Sequence, residues 1–148
     1  MMTLLKEVEF CSPILWQEIP EHFRQALLDC IHSSLVENLF ITHLPDFPLS
    51  ALHSVKRLTL CGWWENEYDT TKLDDSVAHK FQLESLSLRD FCHGSLQKVI
   101  AWFPTCTLRY LDISGGRDLY GSSFPYEGLA PLLDNCSNSL TDLELSLG

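Results

Sequence analysis

Basic residues are scarce: 10 Lys and Arg stand against 20 Asp and Glu, a formal charge of −10 at pH 7. That balance repels phosphate backbones and anionic headgroups, so neither nucleic acid nor a membrane surface is an expected partner. Long hydrophobic runs are also missing. The short apolar stretch of the first ten residues is broken by Lys6, Glu7 and Glu9, so it lacks the continuous core of a signal peptide, and no later run approaches the length of a membrane span. The expectation is an intracellular protein, cytoplasmic or nuclear.

Catalytic and metal motifs are lacking too. The six cysteines and six histidines contain no C-x-x-C or H-x-x-x-H spacing, only Cys30-x-His32 and the adjacent pair Cys92-His93. Without a second pair of ligands at tetrahedral spacing, no metal site is expected. Cys30 and Cys136 fall on apolar helical faces, where a free thiol behaves as a small hydrophobe. With no secretory segment, the cysteines are read as free thiols. There is no G-x-S-x-G, and the loop around Gly115, Gly116 and Gly121 lacks the Lys-Ser/Thr ending that grips phosphate. The acidic pairs Glu65/Glu67 and Asp74/Asp75 sit in stretches that read as solvated surface. The chain is read as not an enzyme, with no cofactor.

What the sequence has is a repeated pattern of apolar residues, L-x-x-L-x-L. It is clearest at Leu83/Leu86/Leu88 and recurs at Leu5/Val8/Phe10, Val36/Leu39/Ile41, Val55/Leu58/Leu60, Leu108/Leu111/Ile113 and Leu140/Leu143/Leu145. The intervals scatter around the ~20–29 residues of leucine-rich repeats. Side chains alternate across an extended strand, so the fourth and sixth positions point inward and the third, fifth and seventh point outward. Each copy is then one strand of a parallel sheet, joined to the next by a crossover. The expected fold is α/β: a solenoid of about six irregular repeats, with a parallel sheet on one face and helices or short helical turns on the other.

The crossovers differ in helical content. Pro20 suits a first helical turn, and Phe23, Ala26, Leu27, Cys30 and Ile31 then form one apolar face. The clearest helix starts at Ser95, lines up Leu96, Val99, Ile100 and Phe103, and stops at Pro104. Leu129, Leu132, Leu133 and Cys136 keep helical spacing, with Pro131 tolerable only within the first turn. The Pro45 to Ser50 crossover is short and Pro-rich and suits a single turn. Two polar insertions, Cys61 to Thr70 and Gly115 to Ser123, are read as loops on one face.

The segments 82–88, 107–113 and 138–145 (Gln-Leu-Glu-Ser-Leu-Ser-Leu, Thr-Leu-Arg-Tyr-Leu-Asp-Ile and Asn-Ser-Leu-Thr-Asp-Leu-Glu-Leu) resemble the repeat region of fungal F-box/leucine-rich-repeat-like proteins. The resemblance implies the substrate-recognition part of a ubiquitin ligase receptor, in which a separate F-box binds the Skp1 adaptor. No Leu-Pro-x-Glu start precedes the repeats, so Skp1 contact would need an F-box outside these 148 residues. The standard leucine-rich-repeat pattern places Asn or Cys at the ninth position, where this chain has Pro13, Leu44, Trp63, Phe91, Gly116 and Gly148. Its turns are expected to satisfy their backbone groups in another way.

The outward strand positions are the candidate surface. Arginines occupy the middle, acidic residues both ends, and aromatic residues of the kind that anchor interfaces are present. The candidate partner-binding residues are Phe40, Arg57, Arg89, Tyr110 and Asp112, with Trp63 and Trp64 in the first insertion, where each Trp is either a contact or a plug folded under the loop. Arg57, Arg89 and Tyr110 are expected to form one exposed patch on which stability does not depend. The chain is thus read as a non-catalytic module that binds a protein partner through residues 1–148, a single domain and a segment of a longer solenoid. The rival reading is a structural fragment of such a repeat protein with no ligand of its own.

Overall fold

Short segments such as Arg57-Leu58-Thr59-Leu60-Cys61 alternate side chains that water accepts with side chains it rejects, which favours an extended strand with one face covered. The structure, a computed structural model, describes residues 7–11, 16–33, 36–42, 47–62, 82–90, 107–115 and 129–147. In it six such segments are strands: β1 (Glu7–Cys11), β2 (Asn38–Thr42), β3 (Arg57–Cys61), β4 (Ser85–Arg89), β5 (Tyr110–Gly115) and β6 (Asp142–Leu147). They form one open sheet in the order of the chain, every neighbouring pair parallel.

The register matches the sequence pattern copy for copy. Val8, Leu39, Leu58, Leu86, Leu111 and Leu143 are successive partners across the sheet, as are Ile41, Leu60, Leu88, Ile113 and Leu145. The backbone repeats as well. The carbonyls of Glu37, Lys56 and Glu84 each accept two N–H groups from the next copy, those of Lys56 and Arg57, Glu84 and Ser85, and Arg109 and Tyr110. The Arg109 carbonyl does the same for Thr141 and Asp142. A carbonyl has two lone pairs, so this shared acceptor leads one strand into the next with no orphaned donor. Beyond the strands, Gly62 (φ 70°) and Asp90 (φ 54°) turn left-handed, and their N–H groups donate to the carbonyls of Arg89 and Ser114, each at 3.0 Å. These turns therefore satisfy backbone groups at the eighth position, using glycine, which takes that conformation freely, and aspartate, which is among the few other residues that tolerate it.

The inward side chains of β2 to β5 join one hydrophobic cluster with residues of the crossovers, and Val8 of β1 packs against it. Helix α1 (Glu21–His32) begins after Pro20, whose carbonyl receives the N–H groups of Phe23 at 2.9 Å and Arg24 at 3.0 Å. Its buried stripe differs from the expected one. Ile31 is fully buried and Leu27 and Leu28 are partly buried, but Ala26 is exposed and Phe23 is 55% exposed. The cause is where the helix docks: Ser54 donates to the Ile31 carbonyl at 3.0 Å and so holds the C-terminal end of α1 against the next crossover.

The next crossover forms a 3₁₀ helix over Leu49–Ser54, later and longer than the single turn read from 45–50, and buries Ala51 and Leu52. Trp16, at the start of a 3₁₀ turn (Trp16–Glu18), packs edge-to-face on Phe47 with ring centroids 5.0 Å apart, and both rings are buried. Helix α2 (Ala130–Cys136) carries Pro131 in its first turn and buries Leu132 and Cys136; Leu129 just before it is also buried, and Leu133, read on the same face, is partly buried. The helix read from Ser95 to Pro104 lies outside the described residues. Cys11, Cys30, Cys61 and Cys136 form no disulfide among the described residues.

Candidate functional site

The strand periodicity that buries the leucines places the intervening residues on the opposite side, where no described element covers them. The register lines them up in three rows. One holds Glu7, Asn38, Arg57, Ser85, Tyr110 and Asp142; the middle one Glu9, Phe40, Thr59, Ser87, Asp112 and Glu144; the third Cys11, Thr42, Cys61, Arg89, Ser114 and Ser146. A shallow depression of about 260 Å³ lies at the centre of this face.

Five of the seven candidate contact residues meet there. Phe40, Arg57, Arg89, Tyr110 and Asp112 all line the depression. Arg57 and Tyr110 share a row with Ser85 between them, about 10 Å apart by two strand spacings. Arg89 is in the third row rather than beside them. Trp63 and Trp64 lie outside the described residues.

The neighbours of these side chains decide what each can offer. Asp112 is only 7% exposed, because Ser87 donates to its Oδ2 at 2.6 Å and Arg89 Nη2 lies 3.5 Å from the same oxygen. Arg89 Nε also donates to Ser87 Oγ at 3.2 Å. Asp112 is thus an enclosed charge held by two partners, not a free contact, and Arg89 is committed to it. These contacts lead us to expect that stability depends on Arg89, against the sequence-based expectation, since removing it would leave Asp112 with only the Ser87 hydroxyl among the described residues. Pattern reading did not single out Ser87. Once the leucine copies are aligned, however, Ser87 and Asp112 fall on adjacent strands at the same level, and that signal was available in the sequence.

The Tyr110 hydroxyl donates to Glu144 Oε2 at 2.8 Å, which lays the ring toward β6 and leaves it half-buried. That hydrogen bond, with a little desolvation and the negative charges of Glu144 and Asp112, pushes the phenol above its ordinary pKa. The thiols are likewise pushed up. Cys11 donates to Glu9 Oε1 at 3.2 Å, which favours its protonated form; burial does most of the work at Cys61, followed by its hydrogen bond to Asp90 at 3.5 Å. Thiols raised in this way are poor nucleophiles. Asn38 Oδ1 is buried with no hydrogen-bond partner among the described residues.

Among the described residues no group of three or more His, Cys, Asp or Glu side chains is placed to hold a metal, and no helix is long and apolar enough to cross a membrane. Among the described residues the structure is α/β, with a six-stranded parallel sheet and two α-helices, and the sheet face that no described element covers carries a polar depression. No protein-family model, curated protein or solved structure matches the chain.

Proposed function

We propose that this chain is a non-catalytic protein-interaction module, a leucine-rich-repeat solenoid that presents the uncovered face of its sheet to a protein partner. One observation carries the reading: the six apolar copies stand in one continuous register, so their outward residues form unbroken rows. Solenoid proteins use such faces for binding. Phe40 and Arg57 are of the types enriched at interface cores. The resemblance to F-box/leucine-rich-repeat-like proteins supports a more specific role, substrate recognition for a ubiquitin ligase in the cytoplasm or nucleus, with Skp1 engaged through an F-box elsewhere.

A structural role within a longer repeat array is the second reading. Leu143 and Leu145 on β6 favour it: they stand 45% and 40% exposed in rows whose members on β2 to β5 are buried, and a further repeat would cover them. Affinity purification of the tagged chain from its own cell, with quantitative mass spectrometry, separates the two. The interaction reading predicts a protein recovered with the wild type and lost with the Phe40→Ala/Arg57→Ala double variant. Recovery of the same proteins by both would refute it.

A further inference from the structure

We infer that the depression holds a subsite for a carboxylate, formed by Arg57, Ser85 and Thr59, that selects an acidic side chain in an extended peptide. This inference rests on the interaction reading and names its ligand chemistry. The two arginines of the depression are not equivalent. Arg89 is engaged by Asp112 and Ser87, whereas Arg57 is exposed and its side chain has neither an ion pair nor a hydrogen bond among the described residues. Ser85 is its register partner on β4, and Thr59 lies two residues along β3 on the same face. Their hydroxyls also have no hydrogen-bond partner among the described residues, and both residues line the depression. A guanidinium with two hydroxyl donors beside it matches the several lone pairs of a carboxylate. Phe40, the register partner of Thr59, supplies an apolar wall for the neighbouring peptide residue.

The charge around the subsite limits what enters. With one uncommitted arginine, Glu7 at the end of the same row and a chain of formal charge −10, a single negative charge is favoured over the two of a phosphate group. Glu7 is two strands from Arg57 and would repel a second acid there. The selection is therefore for one acidic residue at one peptide position, not for a general acidic tract.

The test is a positional-scanning library of acetylated, amidated hexapeptides applied to the full 148-residue chain. Asp or Glu is expected to exceed Asn or Gln about tenfold at one position, in line with one charge-assisted interaction. The Arg57→Gln variant, with an unchanged unfolding midpoint, is expected to lose that selection, while Phe40→Ala weakens every peptide and keeps it. Peptides that bind without acidic selection, or a selection that survives Arg57→Gln, would overturn the subsite and leave the interaction reading standing. Stronger selection of phosphoserine than of Asp would overturn the carboxylate assignment. Absence of any peptide binding would also overturn the subsite, and the purification experiment would then decide the broader reading on its own.

Discussion

Leu86 and Leu143 occupy the same place in the repeat pattern and the same row of the sheet, two strands apart, yet truncating them is expected to have very different consequences. Leu86 is fully buried on β4, in the middle of the sheet and within the main cluster. Leu86→Ala removes its transfer free energy and leaves a cavity whose walls cannot all collapse, together about 3–4 kcal/mol. Leu143 keeps 45% of its surface exposed. It contributes only about half the ~2 kcal/mol of a fully buried leucine, and with no described element packed over it there is no cavity to add, so Leu143→Ala is expected to cost about 1 kcal/mol. Urea unfolding followed by circular dichroism and by fluorescence of the four tryptophans measures both. In thermal unfolding the Leu86 variant is expected to melt roughly 6–15 °C lower, and the Leu143 variant only a few degrees lower. Equal losses, within about 0.5 kcal/mol, would show that Leu143 is covered in solution and that the burial difference is wrong.

The Asp112 network predicts non-additivity: Arg89→Ala is expected to cost about 1 kcal/mol, limited by the half-exposed arginine, and much less in an Asp112→Asn background, as a double-mutant cycle in urea would show. The Tyr110 phenol holds its proton more tightly when folded, so the contribution of this bond is complete below the unfolded phenol pKa and disappears as pH rises through the folded value. Stability of Tyr110→Phe is expected to fall less steeply than the wild type in that alkaline window, and ultraviolet titration is expected to show that the variant has lost a late-ionising phenol. Cys11, although exposed, is expected to alkylate slowly with iodoacetamide at pH 8 and faster after Glu9→Gln, which removes the carboxylate that favours its thiol form; equal rates by peptide mass spectrometry would refute that coupling.

The arrangement of the sheet could be read from the residues because strand alternation is a local property. Every residue of an extended chain points opposite to its neighbour, so six copies of L-x-x-L-x-L determine which side chains share a face, which rows they occupy and that Phe40, Arg57, Arg89, Tyr110 and Asp112 lie together on one side. The short α2 helix was equally legible, since a proline has only the first turn in which to sit.

Burial and partnership required the tertiary structure. Helical spacing predicted one apolar face on α1 through Phe23, Ala26, Leu27, Cys30 and Ile31, but in the fold, with its C-terminal end held beside Ser54, Phe23 and Ala26 are left outside. Trp16 and Phe47 lie far apart in the chain and pack together only because consecutive crossovers stack. Asp112 and Arg57 look alike in sequence, as charged residues on the outward side of a strand, but Asp112 is enclosed by Ser87 and Arg89 while Arg57 remains uncommitted. Local periodicity sets the direction in which a side chain points; what meets it there depends on which distant segments the fold brings alongside.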